Sequence, residues 1–87
     1  MQVKYMTSGG IVNDGPITLL GVAIDSGTTA DSITLYDGSD TTGKPLIRLS
    51  INANIRTQTI IFSKGIDCRQ LFAAIVGTSP ACFIYWE

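Results

Sequence analysis

The chain predicts an all-β fold: a single small antiparallel β-sandwich, Ig-like or jelly-roll-like, or a flattened barrel, of about seven strands. Three observations predict it. Glycines and prolines punctuate the sequence about every ten residues, as turns between short strands require. The runs between them are rich in Ile, Val, Thr, Tyr and Phe, side chains that suit a pleated, half-buried surface. Several runs alternate apolar and polar residues with the period of two that turns one strand face inward. At 87 residues, 45% apolar and 15% charged, the chain makes one domain over 1–87 and folds rather than staying disordered. A core this small is thin, so oligomerisation or docking on a larger body is an expected source of stability.

The predicted strands, in order, are Val3–Thr7, Ile17–Asp25, Ser32–Asp37, Leu46–Asn52, Thr57–Ser63, Leu71–Gly77 and Cys82–Trp86, with a short bridge at Ile11 and Val12. Ile33 and Leu35 point inward while Thr34 and Tyr36 point out; further on, Ile47, Leu49 and Ile51 are inside. Ile60 and Phe62 share a face with Gln58, leaving Ile61 with Thr59 on the other. "LLGVAI" and "LFAAIV" are apolar on both faces, the mark of central strands covered on both sides. That second cover is either the domain's own loops or a neighbouring subunit. The one place for a single helical turn is "DCRQLF", with Asp67 as its cap.

"GSDTTGKP", Gly38 to Pro45, has the glycine and lysine spacing of a phosphate-cradling loop. Pro45 stands where a magnesium-binding Ser or Thr belongs, Asp40 puts a negative charge in an anion cradle, and "LIRLSI" after it alternates as a strand. The stretch therefore reads as a long hairpin loop.

Composition excludes several classes of partner. Six basic and seven acidic residues leave a net charge of -1, and the basic ones are scattered singly, so no nucleic-acid footprint forms. The longest apolar stretches fall far short of the roughly 20 residues a helix needs to span a membrane. "MQVKYMTSGG" lacks the apolar core of a secretory signal, so none is expected here. Without any histidine, the commonest general base and metal ligand is missing, and no cofactor is expected. Ser26, Ser39 and Ser79 lack the strand-to-helix setting of a nucleophile, so the chain is read as no enzyme. Asp37 and Asp40, with Ser39, Thr41 and Thr42, gather oxygens of the kind calcium takes, but without a following bidentate glutamate they read as turn formers. Asp25 and Asp31 flank "SGTTA" in the same fashion.

Cys68 and Cys82 raise a disulfide. If "LFAAIVG" and "ACFIYWE" form a hairpin across "TSP", the two lie about 26 Å apart and cannot bond, whereas another arrangement leaves the bond open. Two reduced, buried thiols are the favoured reading.

"FIYWE" closes the chain with three aromatics in four residues; alternation sends Phe83 and Tyr85 to one face, Ile84 and Trp86 to the other. Tyr85 and Trp86, the outward Tyr36, and Val3 and Tyr5 of the N-terminal strand are the candidate interface residues. Stacking on a sugar is the rival use of such aromatics.

"GVAIDSGTTADSITLYDGSDTTGKPLIRL", followed by "IIFSKGIDCRQLFAAIVGTSPACFIYW", resembles the small all-β structural proteins of tailed bacteriophages. The shared features are an early "GV-I-SG" strand (Gly21 to Gly27), "ITLYDG" (Ile33 to Gly38) leading into a Thr/Gly/Lys loop, the Gly65–Ile66 element, and a final hairpin ending in aromatics, Leu71 to Trp86. The resemblance implies a virion structural protein made in the host cytoplasm. It would be a capsid decoration or cement protein bound to the major capsid protein or another virion protein, or a tail, fibre or baseplate module. It implies no individual functional residue. Cement proteins commonly sit at symmetry axes, so a homotrimer is the first oligomer expected, and an N-terminal strand able to add to a neighbour's sheet edge suits the role. A small carbohydrate-binding sandwich is the reading from another class.

Overall fold

The structure, a computed structural model, describes residues 1–26, 30–52, 54–78 and 80–87. The connections "DSGTTADS", "NANIR" and "TSP", and the turn serine Ser79, fall partly or wholly on the other positions and lie outside the described residues. Among the described residues eight strands follow one another: β1 (Gln2–Met6), β2 (Gly10–Asn13), β3 (Ile17–Asp25), β4 (Asp31–Asp37), β5 (Lys44–Ile51), β6 (Thr57–Cys68), β7 (Leu71–Val76) and β8 (Ala81–Trp86).

They form two four-stranded sheets, ordered β1-β8-β3-β6 and β2-β7-β4-β5, with antiparallel pairing throughout. The order has a simple physical origin. The chain doubles back at the β4–β5 hairpin, so that β3 pairs with β6, β2 with β7 and β1 with β8, and this long ribbon then rolls until β8 meets β3 and β7 meets β4. A β-sandwich wound in this way is a jelly roll.

Alternation placed the core where the sheets face each other. Leu19, Val22 and Ile24 of β3 and Ile84 of β8 meet Ile33 and Leu35 of β4, Leu71 and Ala73 of β7 and Ile51 of β5, all essentially without solvent contact. The two runs apolar on both faces are central strands, β3 in one sheet and β7 in the other. The outward Thr34 and Tyr36, inward Leu49 and Ile51, and exposed Ile61 follow the predicted faces.

"GSDTTGKP" is the β4–β5 loop, with Tyr36 opposite Pro45 and Asp37 opposite Lys44. Asp40 Oδ1 accepts from the Thr42 N–H at 2.9 Å and from the Thr42 hydroxyl. Those bonds hold the Asp40 carboxyl below the usual carboxylate range. Gly43 is required by close backbone passage: a Cβ there would lie 2.6 Å from the Asp37 carbonyl oxygen.

Four expectations change. The bridge at Ile11 and Val12 is a full strand, β2, which makes eight strands rather than about seven. β6 runs on to Cys68 because Gly65, at φ 74°, takes a left-handed conformation that lets the strand re-register, bringing Ile66, Asp67 and Cys68 opposite Leu19, Thr18 and Ile17. "DCRQLF" holds no helical turn, since Asp67 and Cys68 end β6 and Leu71 begins β7, with only a bend between. The final hairpin does not form either. β7 lies between β2 and β4, and β8 between β1 and β3, so the chain crosses from one sheet to the other after Gly77. Gly77 has φ 129°, the Thr78 N–H is drawn to Asp31 Oδ1 at 2.8 Å, and Pro80 is fully buried without an N–H for a ladder.

Candidate functional site

The broad outer face of the β1-β8-β3-β6 sheet carries the candidate site. Register sets side chains in rows across the four strands: Val3–Tyr85–Gly21–Ile61, and beside it Tyr5–Phe83–Ala23–Thr59. Val3 is 52% exposed, Tyr5 57% and Ile61 67%, so the face is open and largely apolar. The Tyr5 and Phe83 rings lie 5.1 Å apart at 47°, a tilted pair within the range where aromatic rings attract. β1 and β8 thus raise an aromatic ridge.

β3 supplies the opposite feature. Gly21 and Ala23 carry no large side chain, and Gly21 is buried beneath Ile61, since a Cβ there would come 2.9 Å from both Ile60 O and Ile61 Cδ1. The bulged Leu20, with Tyr85, Ile61, Phe62, Ser63 and Met1, bounds a trough of about 390 Å³ whose walls are mainly apolar. A ridge beside a trough on one rigid sheet is a surface for another protein surface.

The outer face of the second sheet carries a shorter row, Ile11–Phe72–Tyr36–Pro45. Tyr36 and Phe72 are tilted at 53° with ring centroids 6.5 Å apart, and Ile11 is 42% exposed. The molecule is therefore a slab with an apolar aromatic row on each broad side.

Of the five residues singled out in the sequence, Val3, Tyr5 and Tyr85 come together on the first face, and Tyr36 lies on the opposite one. Trp86 belongs to neither: it sits opposite Leu19, turns to the inner side with Ile84 and packs against the core. Alternation had already set Trp86 apart from Tyr85. Gly21, Ala23, Phe72 and Ile61 complete the two faces, and only strand register shows that they share rows with the tyrosines.

The sheet edge is less inviting than its position implies. β1 is an edge strand, yet Lys4 falls on the inward side of its alternation, with Met6, and its Nζ donates to the Ile11 carbonyl at 3.3 Å. An inward charge on an edge strand discourages pairing with another chain.

The reactive groups weighed in the sequence are held in structural bonds. Asp37 Oδ1 accepts from the Arg69 N–H at 2.9 Å, Asp25 Oδ1 from the Thr57 hydroxyl at 3.2 Å, and Asp67 Oδ1 from the Thr18 hydroxyl at 2.9 Å. Among the described residues no group of three His, Cys, Asp or Glu stands close enough to hold a metal ion.

Both cysteines are free and buried. The hairpin argument for their separation does not apply, because no such hairpin forms. They are kept apart by β3: Cys68 lies opposite Ile17 and Cys82 opposite Ile24, roughly 20 Å along the same strand. Burial pushes each thiol up to about 11, helped at Cys68 by Asp37 and Asp67 and at Cys82 by Asp31. Their folded values lie above the unfolded ones, so the stability that comes from keeping them neutral is complete below about pH 8.5 and is lost as pH rises through 11. With a disulfide-exchange reagent at about pH 8, both thiols are expected to react only as fast as the chain opens, and at once in denaturant. Fast native labelling of either one contradicts its placement.

No family model, curated protein or solved structure matches this chain.

Proposed function

We propose that this protein is a non-enzymatic bacteriophage virion component, a capsid decoration or cement protein that binds the major capsid protein or another virion protein and stabilises the assembled shell. The observation that supports it most is the pair of apolar aromatic rows on opposite broad sides of one stiff slab. A molecule that clamps neighbouring subunits needs two contact surfaces held at a fixed separation, and a jelly roll provides them back to back. The same architecture recurs in capsid and lectin domains, which is an analogy of fold alone. In this reading the chain is made in the host cytoplasm, self-associates, and raises shell stability by mass action, since it binds the assembled lattice and not its separated parts.

Purified protein mixed with undecorated capsids is expected to bind saturably and raise the shell's melting temperature. Absence of both effects removes the shell-clamp reading. Labelling confined to the tail, fibre or baseplate in electron micrographs would replace it with the accessory-module alternative. The Tyr5–Phe83 ring pair is the feature that favours glycan binding. Because Trp86 packs inward, the probe for a sugar is the tyrosine ring resonances of Tyr5, and unchanged resonances across a glycan panel count against that use.

A further inference from the structure

We infer that the open edge of β6 pairs antiparallel with the same edge of a second copy of this chain, about a two-fold axis that passes beside Thr59 perpendicular to the sheet. Backbone register carries the inference. β6 pairs with β3 alone, so its other side is a sheet edge. The Ser26 N–H donates to the Arg56 carbonyl at 3.0 Å, and from there the ladder runs without a shift to Ile61 opposite Gly21. Bonded and non-bonded pairs alternate along an antiparallel ladder, so Gln58 and Ile60 turn their N–H and C=O groups toward β3 while Thr57, Thr59 and Ile61 turn theirs outward. Those outward groups have no partner among the described residues. The two-fold sets Thr57 of each copy opposite Ile61 of the other and Thr59 opposite Thr59, and every outward group then pairs, in about six hydrogen bonds.

The occupant is a second copy because a strand added to an open edge must bring an open edge of its own, and on this molecule only β6 has one among the described strands. The other three edges carry features that block pairing: β1 has the inward Lys4, β2 is four residues long with a register shift, and β5 has Lys44, Arg48, a register shift and Pro45, which lacks an N–H. On β6 the bulge and Lys64 come only after Ile61, so residues 57–61 hold no charge, proline or glycine. Side chains agree with the register, which places Thr59 beside Thr59, Gln58 beside Ile60 and Thr57 beside Ile61, with no like charges opposed. Ile60 and Phe62 pack on the core yet stay partly exposed, whereas Val22 and Ile24 of β3 have no solvent contact; a strand added at the edge covers that flank. The two-fold uses up both open edges, so assembly stops at two.

The inference stands apart from the virion reading, because the dimer is expected with no capsid present and leaves both broad faces open. Sedimentation velocity of the full chain, from about 10 µM to about 1 mM, is expected to show a species of twice the 9.3 kDa protomer growing with concentration. Over the same range the amide protons of Thr57, Thr59 and Ile61 are expected to gain protection from hydrogen exchange, while those of Gln58 and Ile60 are protected throughout. Thr59→Pro removes an N–H that the ladder to β3 does not use and is expected to weaken the dimer at least about 10-fold with native circular dichroism retained. Thr59→Lys, which opposes two like charges at the axis, is expected to weaken it as well, and Thr59→Val, which keeps the N–H, to leave it intact. A monomer throughout the range overturns the inference, as does a trimer, a dimer whose three outward amides stay unprotected, or one that survives both Thr59→Pro and Thr59→Lys. A decorated shell formed by a monomeric protein would overturn the edge pairing and keep the virion reading, whereas a dimer that ignores capsids would do the reverse.

Discussion

Leu35→Ala is expected to lower the unfolding free energy by about 3 to 5 kcal/mol, the range for a leucine whose surroundings cannot collapse into the space it leaves. Leu35 has no solvent contact and sits mid-strand in β4, opposite Ile47 of β5 and Ala73 of β7. Its neighbours are pinned by two ladders, so little relaxation is open to them. A domain of this size holds roughly 4 to 13 kcal/mol in all, and the loss is therefore a large share of it. Urea denaturation of the variant should give a lower midpoint with an unchanged slope, and Leu46→Ala, at the bulge and half-buried, should shift it far less. Equal shifts for the two would show that the core does not lie where the sheets meet.

Gly77→Ala is expected to cost about 3 kcal/mol or more, from backbone strain and overpacking together. Gly77 holds φ at 129°, and a methyl group there would overlap Asp31 Oδ1. That oxygen accepts the Thr78 N–H at 2.8 Å, while Asp31 Oδ2 is buried and finds no hydrogen-bond partner among the described residues. Moving the carboxylate to admit the methyl breaks the bond that turns the chain from one sheet to the other. Thermal melting of Gly77→Ala beside Val76→Ala, its exposed neighbour, isolates the effect. A difference within about 0.5 kcal/mol would mean that the crossover tolerates a side chain, as an ordinary surface position does.

The fold class and most strand positions were legible because period-two alternation is a local property. Ile17–Asp25 reads as a strand from its composition, and Ile33 and Leu35 read as core from their spacing. The weaker elements escaped for identifiable reasons. β2 is too short to alternate visibly, and "SKGIDC" carries the glycine and charges of a loop even though Gly65 lets β6 continue through it. The final hairpin was misread because two apolar runs joined by a few turn residues look alike whether they pair with each other or with strands far away in sequence.

The candidate surface was partly visible in the same way. Alternation put Phe83 and Tyr85 on one side of β8 and Trp86 on the other and marked Tyr36 as outward, while Val3 and Tyr5 were named as interface candidates without a face. It said nothing of Gly21 standing level with Tyr85 or Ala23 with Phe83, because that is a matter of which residues of β1, β8, β3 and β6 stand level.

By itself the sequence determined an all-β fold and the inward or outward sense of the side chains in the strands that alternate, such as Ile33–Tyr36, Ile47–Ile51 and Phe83–Trp86. Those properties depend on side-chain type and on the geometry of one strand. Only the tertiary structure decided the rolled order of the sheets, the crossover at Gly77, and the grouping of Val3, Tyr5, Tyr85 and Ile61 on one face with Tyr36 on the other. Pairing between distant strands sets those features through register and loop closure, and neither is written in any short stretch of chain.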